Sequence, residues 1–582
     1  MSDLSPRDEN PCRPRHFKPD PCGPAAPPEG PARRTLDTSH ARLLVTAGLF
    51  CLAFAVIGLR LVQVTVLDGD PRVARHEPAE TVSHARADIV DRNGVLLATT
   101  LETPSLFADP KQVIDPKDAA QKLASVLPDI NAAELEQRLA SGKSFVWVRR
   151  HLTPREEALV NNLGLPGFQF MPEGRRVYPE GNLFAHVVGY SDTDGNGLAG
   201  VERGLNSRLK RGGKPVVLSL DERLQFILHD ETAKAISDFH AIGGMGIILD
   251  VRTGETLAMV SLPDFDPNDP GTATPETTFN RATLGDYEMG SVFKIFTIAM
   301  ALDDHVSTLE SSYDATNPIH IGRFTIHDDH AQRRWLTVPE IFQYSSNIGA
   351  AKIGLEVGPE RQEEFLAKLG LTREPRFELK EIATPLVPSP WRPINTMTIA
   401  FGHGMSVSPL QLVTGVAAVV NGGVLHPTTL LKRADGEPES GVRVLSNETS
   451  VDMRKLLRLV VERGTGKLAE APGYLVGGKT GTAEKVAGKH YETHALLSSF
   501  VGVFPVNDPR YLVFVSIDEP HGNKQSFGYA TGGWVAAPAV RNTIERMASI
   551  VGIQPVDENS PEISRSLMVD LPTPPGRTLA AN

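Results

Sequence analysis

The chain has 582 residues, 41% of them apolar and 22% charged, with a formal net charge of −11 at pH 7. That length exceeds one compact core and calls for two or more folded units, and an acidic chain without a long basic run is a poor nucleic-acid binder. The three cysteines, Cys12, Cys22 and Cys51, all lie near the start, which excludes a disulfide framework, a thiol nucleophile and a cysteine-ligated metal from the body of the chain.

Residues 1–42 are Pro-rich, mix both charge signs and offer little to bury, the composition of a disordered tail. Leu43 to Leu59 carries no charge, and continued past Arg60 to Leu67 it is long enough to span a bilayer as a helix. Arg60 can reach the headgroups along its aliphatic stem. A cleaved signal peptide ending at Ala53-Phe54-Ala55 would follow an unusually long polar lead, and a lipidated Cys51 would be preceded by Phe50, where a small residue is wanted. The expectation is therefore a retained single-span anchor over residues 43–67, with the tail cytoplasmic and the rest exported.

Arg86 to Thr100 alternates apolar and polar residues around Arg92-Asn93-Gly94 and reads as a β-hairpin. A charged helical stretch follows, capped near Asp115 with Pro116 in its first turn and running to Ala140. Residues 68–220 are taken as a first, pedestal-like domain. Within it, D-T-D-G-N-G from Asp192 imitates the opening of a calcium loop. Arg203 falls where the bidentate glutamate belongs and Glu202 comes one residue early, so the segment reads as a Gly-rich turn.

A second domain is expected over residues 221–550. Asp221 caps an amphipathic helix. Two strands then meet across Arg252-Thr253-Gly254, and a second hairpin runs from Leu497 to Asp518 around N-D-P-R-Y. Strands at both ends with helices between them predict one antiparallel sheet covered by helices. After residue 550 the chain turns Pro-rich and reads as a loose tail, 551–582.

The chemistry concentrates in this second domain. In E-M-G-S-V-F-K-I-F-T-I-A-M-A-L, apolar residues surround the predicted helix on nearly every side, yet Ser291 and Lys294 share one face. A capping serine beside a lysine that escapes to solvent explains the first residue and not the second; a nucleophile paired with an amine base explains both. Thr337 and Glu340 form a capping box with Pro339 in the first turn, and the short helix they start leads into Ser345-Ser346-Asn347. Gly473 to Thr480 matches the phosphate-loop pattern G-x-x-x-x-G-K-[ST] letter for letter. Such a loop needs a strand before the glycines and a helix after the Lys-Thr. Here Gly481 follows at once, no long apolar helix does, and Tyr474-Leu475-Val476 itself reads as the strand.

S-x-x-K, S-x-N and K-T-G, in that order, form the set shared by penicillin-binding proteins and serine β-lactamases. R-R-V-Y-P-E-G-N-L-F-A-H-V-V-G-Y, G-L-A-G-V-E, L-S-L-D-E-R-L-Q, D-V-R-T-G-E-T-L-A-M and F-G-H-G-M-S-V-S-P-L-Q-L extend the likeness. Over roughly residues 45 to 545 the chain resembles class B penicillin-binding proteins, closest to the division-specific, FtsI-type peptidoglycan D,D-transpeptidases. The resemblance implies an α+β protein with a single transmembrane helix, a β-rich pedestal of the dimerisation type and no glycosyltransferase domain. Its transpeptidase domain would carry a five-stranded antiparallel sheet covered by helices.

The implied reaction is serine acyl transfer that cross-links stem peptides of septal wall, is blocked by β-lactams, and has D,D-carboxypeptidase hydrolysis as a side activity. Ser291 is implied as nucleophile and Lys294 as its base, with an amine depressed by burial and by Lys479. Ser345 would relay a proton to the leaving D-alanine, and Asn347 would hold the peptide and position Lys294. Lys479, Thr480 and Thr482 would hold the substrate carboxylate, with the N–H groups of Ser291 and Thr482 as oxyanion hole. Gly481 would leave room for substrate along the strand. No cofactor, metal or nucleic acid is implied. The implied partners are stem peptides, lipid-linked precursor, β-lactams, the cell inner membrane (with the catalytic domain in the periplasm), a SEDS-family glycosyltransferase and other divisome membrane proteins.

Two departures bear on rival readings. Ser346 replaces the Asp of S-D-N, and the stretch around Glu374 lacks the family's usual glycine. An anchored serine β-lactamase would need a glutamate to activate water, for which Glu374 is the nominee; the anchor, pedestal and wider motif set oppose it. A non-catalytic division scaffold would not need intact Ser291, Lys294, Asn347 and Lys479. An elongation-type transpeptidase would use the same chemistry. His327 and His330 could form a metal pair but lack a clear third ligand.

Overall fold

The computed structural model describes residues 45, 47–59, 86–322, 324–434, 441–487 and 490–569. Contacts divide the chain into two units, residues 1–82 and 83–582. In the first, residues 47–59 form a helix whose Leu49, Phe50, Leu52, Phe54, Ile57 and Leu59 are all exposed. Among the described residues no helix is long and apolar enough to cross a membrane. The remainder of the expected 43–67 span lies outside the described residues, as does the tail over residues 1–42.

The second unit opens with the predicted hairpin. Ile89 pairs with Ala98 and Val90 with Leu96, and Asp91 Oδ1 accepts the Asn93 and Val95 N–H groups at 2.7 and 2.8 Å to close the turn. The long strand Leu96–Ala108 also pairs with Phe168–Val177 and Val146–Arg149, and Ile89–Val90 takes Val216–Val217 as a parallel neighbour. The helical stretch after Asp115 is two helices, Pro116–Val126 and Ala132–Leu139. Pro128 cannot donate a helical hydrogen bond, and Asn131 caps afresh. With further helices at Pro154–Asn162 and Gly200–Gly204, the pedestal is a mixed sheet-and-helix domain and not the β-rich one expected. Asp192 closes its own turn, accepting the Asp194 and Asn196 N–H groups at 3.0 and 2.7 Å, while Glu202 pairs with Arg86 and Arg176. Asp194 accepts Arg150 Nη1 at 2.9 Å, so all three carboxylates of the calcium imitation are occupied by protein.

The second expected domain is built on a five-stranded antiparallel sheet in the order Gly477–Ala487, His490–Phe504, Tyr511–Asp518, Gly243–Asp250, Thr256–Leu262. Helices cover both faces, so alternate residues enter two separate cores. Met245, Ile247, Val501 and Phe514 pack toward Lys294–Asp303, Pro409–Val420 and Asn447–Arg463. Ile248, Phe500, Val513 and Val515 pack toward Glu222–Asp238 and Gly532–Met547. Asp221 caps the first of these last two helices, as expected. The segment after residue 550 is not loose throughout. Val556 N–H donates to Gly473 O at 2.9 Å, Arg458 donates to Glu558 at 3.2 Å, and Pro561–Leu567 is helical. Residues 570–582 lie outside the described residues.

Candidate active site

Ser291 lies in a 3-10 turn, Gly290–Phe293, that runs directly into the buried helix Lys294–Asp303. The turn is clamped from beneath. Gly290 N–H donates to Gly402 O at 3.1 Å, and a Cβ on Gly402, whose φ is +90°, would stand 1.9 Å from Gly290 O. Only glycine allows the F-G-H-G turn to sit against the Ser291 turn. Phe293 and Phe296 pack into the core on either side of Lys294, and the lysine points back beside Ser291.

Lys294 is fully buried. Its Nζ is 2.7 Å from Ser291 Oγ, 2.6 Å from Asn347 Oδ1, 2.9 Å from Ser345 O and 3.2 Å from Ser345 Oγ. Burial pushes its pKa down to about 7, while Asp328 and Asp329 oppose that shift. Burial is the leading cause of the Lys294 depression, and the repulsion between the two buried amines is felt at Lys479. Lys479 is itself fully buried and held well below the usual lysine range, by desolvation first and by Lys294 second.

The second motif is positioned by local chain logic. Thr337 and Glu340 close the predicted capping box, and the helix Val338–Gln343 delivers Ser345 in a left-handed conformation, φ +59°. Ser346 then caps the helix Asn347–Val357, accepting Gly349 N–H at 3.0 Å. This is how Ser346 serves where the related motif carries Asp, since both residues are good caps. The helix turns Asn347 toward Lys294.

Lys479, Thr480, Gly481 and Thr482 lie on the edge strand Gly477–Ala487. Lys479 Nζ donates to Ser345 Oγ at 3.0 Å and to Thr480 O at 3.2 Å, so one serine hydroxyl touches both lysines. Thr482 Oγ1 accepts Gly532 N–H at 3.1 Å. Gly481 is required by the protein itself. A Cβ there would meet Ser499 Oγ at 2.3 Å, Val292 Cγ2 at 2.7 Å and Met289 O at 2.9 Å, so glycine lets the edge strand lie close against the Ser291 turn. The strand also starts later than expected. Gly473 (φ +87°) and Leu475 (φ +47°) form a bend, and the strand begins at Gly477 and runs on through Lys479 and Thr480. No helix follows the Lys-Thr, so the phosphate-loop match is a coincidence of letters.

Ser291, Lys294, Ser345, Asn347 and Lys479 thus meet in one cluster. Three neighbours, Asp328, His327 and Thr465, had no assigned part in this cluster from sequence. Asp328 accepts Ser346 Oγ at 2.7 Å and Ile348 N–H at 2.9 Å, and His327 O accepts Asn347 Nδ2 at 3.0 Å. The histidine-aspartate stretch read as a weak metal pair therefore holds the second motif, and among the described residues no three His, Cys, Asp or Glu side chains group as a metal site. Thr465 Oγ1 lies 2.7 Å from Thr480 Oγ1; a single threonine between two glycines carries no recognisable signal in sequence. Glu374 is exposed, and Thr384 Oγ1 approaches it at 3.5 Å. It is a hydrogen-bond partner of none of the five clustered residues.

Comparison with known proteins bears on this geometry directly. Residues 244–545 match the family described as penicillin binding protein transpeptidase domain, and residues 81–214 match the penicillin-binding protein dimerisation domain. The probable peptidoglycan D,D-transpeptidase FtsI of Caulobacter vibrioides is 41% identical over 536 residues, 90% of each chain. The peptidoglycan D,D-transpeptidase FtsI of Escherichia coli is 30% identical over 558 residues, 88% of this chain and 92% of that one. Among solved structures, penicillin binding protein 3 from Mycobacterium tuberculosis complexed with ampicillin superposes with a TM-score of 0.66 at 27% identity, over 83% of this chain and 98% of that one. A dimerisation domain, a transpeptidase domain and a serine flanked by two buried lysines together place the chain in the penicillin-binding protein family, among the FtsI-type peptidoglycan D,D-transpeptidases.

Proposed function

We propose that Ser291 is the residue acylated in this transpeptidase, that Lys294 is its base, and that the product is cross-linked septal wall. The observation that carries the assignment is the Lys294 amine, fully buried, depressed to about 7 and 2.7 Å from Ser291 Oγ. An amine with that pKa is neutral in a large share of molecules at neutral pH, so it can accept the serine proton there. Ser291 Oγ then bonds to the carbonyl carbon between the two terminal D-alanines of a stem peptide.

The oxyanion would be met by the Ser291 and Thr482 N–H groups. In support, a Cβ on Gly290 would stand 2.6 Å from Thr482 O, so that carbonyl faces the nucleophile turn, and a strand residue's N–H and C=O point to the same edge. Ser345, in reach of both lysine amines, passes the proton to the nitrogen of the departing D-alanine as the C–N bond breaks. Asn347 orients Lys294 and the incoming peptide. Lys479, Thr480 and Thr482 hold the terminal carboxylate, and that charge returns Lys479 to its protonated form. An amine of a neighbouring stem peptide next attacks the ester, releasing Ser291 and completing the cross-link; water in its place would give carboxypeptidase hydrolysis. β-Lactams acylate the same serine.

The uncharged run from Leu43 to Leu59 supports a single span over residues 43–67 in the inner membrane, with both later domains (68–220 and 221–550) in the periplasm beside a SEDS-family glycosyltransferase and other division proteins. A reporter enzyme that works only outside the cytoplasm, fused after residue 70, is then active and membrane-bound; a soluble or inactive fusion refutes the anchor. The chemical assignment is tested by labelling the protein with a tagged penicillin and mapping the modified peptide. Label on Ser291 with slow release is expected. Label elsewhere, or rapid turnover of the penicillin, overturns it.

A further inference from the structure

Thr465 sits on the G-T-G turn that follows the helix Asn447–Arg463, and the turn is wedged into the cleft wall. Gln343 Nε2, from the helix before Ser345, donates to Arg463 O at 3.1 Å. A Cβ on Gly466 would lie 3.0 Å from Phe500, and a Cβ on Gly533 would lie 2.6 Å from the Thr465 carbonyl and 3.6 Å from Thr480 Cγ2. The threonine is thereby held between the second motif, the edge strand and the first turn of the helix Gly532–Met547, a helix end whose N–H groups favour negative charge.

Counting protons shows what the placement does. A hydroxyl has one proton and two lone pairs. The 2.7 Å contact between Thr465 Oγ1 and Thr480 Oγ1 uses one of the two hydroxyl protons, and among the described residues neither side chain has another acceptor. Lys479 Nζ approaches Thr480 Oγ1 at 3.5 Å and takes one of its lone pairs. When Thr465 fills the other, the Thr480 proton has one direction left, out of the wall and into the cleft. Thr482 is arranged in the same way: its oxygen accepts Gly532 N–H, and its proton has no acceptor among the described residues.

We infer that Thr465 is a positioning residue of the carboxylate cradle: by donating into Thr480 it aims the Thr480 hydroxyl at the ligand's carboxylate and sets the preference for an anionic over a neutral C-terminus. This rests on the reading that Lys479, Thr480 and Thr482 hold that carboxylate. A chain of donors feeding one acceptor also polarises the last O–H, which strengthens its bond to an anion more than to an ester.

The test compares acylation of the full-length protein by benzylpenicillin and by its methyl ester, as second-order rate constants, in the wild type, Thr465→Val, Thr465→Ser and Lys479→Ala. The ratio of the two rates within one sample is independent of how much of the protein is folded. Thr465→Val is expected to lower the anion-to-ester ratio about five-fold, and Thr465→Ser, which keeps the hydroxyl, to restore it. A ratio that falls for Lys479→Ala but holds for Thr465→Val overturns the role of Thr465 alone, as does failure of the serine to restore it. A ratio unchanged in both Thr465→Val and Lys479→Ala overturns the carboxylate reading and the Thr465 role with it.

Discussion

In the pedestal, Glu202 is fully buried and both of its carboxylate oxygens are taken by arginines, Arg176 Nε at 2.7 Å and Arg86 Nε. Arg86 also donates to Asn206 Oδ1 at 2.8 Å, Gly195 O at 3.0 Å and Glu202 O at 2.6 Å, and Arg176 to Ala87 O at 2.9 Å and to Arg86 O and Thr100 Oγ1 at 3.2 Å. In the catalytic cleft, Lys294 and Lys479 are buried as deeply, yet their hydrogen bonds run to hydroxyls, an amide and carbonyls, and no carboxylate comes within ion-pair reach among the described residues. A charge buried for structure is paired with opposite charge and hydrogen-bonded. A charge buried for chemistry is left uncompensated, so that desolvation moves its pKa to where a proton can be exchanged.

The largest expected effect breaks the structural half of this contrast. Glu202→Ala leaves two buried guanidinium groups facing each other and should lower stability by about 3–5 kcal/mol, read as a fall in the denaturant midpoint. Penicillin labelling per folded molecule should be unchanged. An unmoved midpoint would mean the network is ornamental.

Lys294→Ala breaks the chemical half. Acylation should slow by on the order of 10²-fold or more at every penicillin concentration, with the thermal midpoint at or above that of the wild type, because an uncompensated buried amine is removed. A drop in stability like that of Glu202→Ala, or labelling at a near-normal rate, would erase the distinction between the two regions.

The pH dependence sharpens it further. As the proposed base, Lys294 would act in its neutral form, and its amine is pushed down to about 7 where an ordinary lysine's lies above 10. The acylation rate should therefore rise as pH rises through about 7 and level off above it. A limb centred near 10 would show that burial does not tune this amine.

Asp328→Asn should give the smallest change, and its direction is informative. The Asp328 carboxylate favours protonated Lys294, so neutralising it should shift the acid limb of the acylation profile to lower pH, with a few-fold loss in plateau rate from the loosened Ser346 and Ile348 contacts. A lower plateau with the limb unmoved would assign Asp328 a purely structural part.

Much of the architecture was open to local reading because local rules governed it. The cap at Asp221, the capping box at Thr337, the turn at Asn93-Gly94 and the two hairpins of the large sheet depend on residues within a few positions of one another. The misreadings share the opposite character. Glu558 turned a Pro-rich tail into a docked segment by reaching Arg458, a hundred residues away in sequence. Asp328, which lies between the two histidines read as a metal pair, is bound to Ser346 and Ile348 across an intervening strand and helix.

Sequence by itself determined the reactive groups and their family, because S-x-x-K, S-x-N and K-T-G are short patterns whose chemistry lies in the residue types and their order. Only the tertiary structure decided how those groups behave. That burial is the leading cause of the Lys294 depression, that Gly481 is required by Ser499, Val292 and Met289, and that Thr465 completes the wall behind Thr480 are facts about distance and exclusion of water. Desolvation and close contact depend on atoms brought together from the whole length of the chain, so they exist only once it has folded.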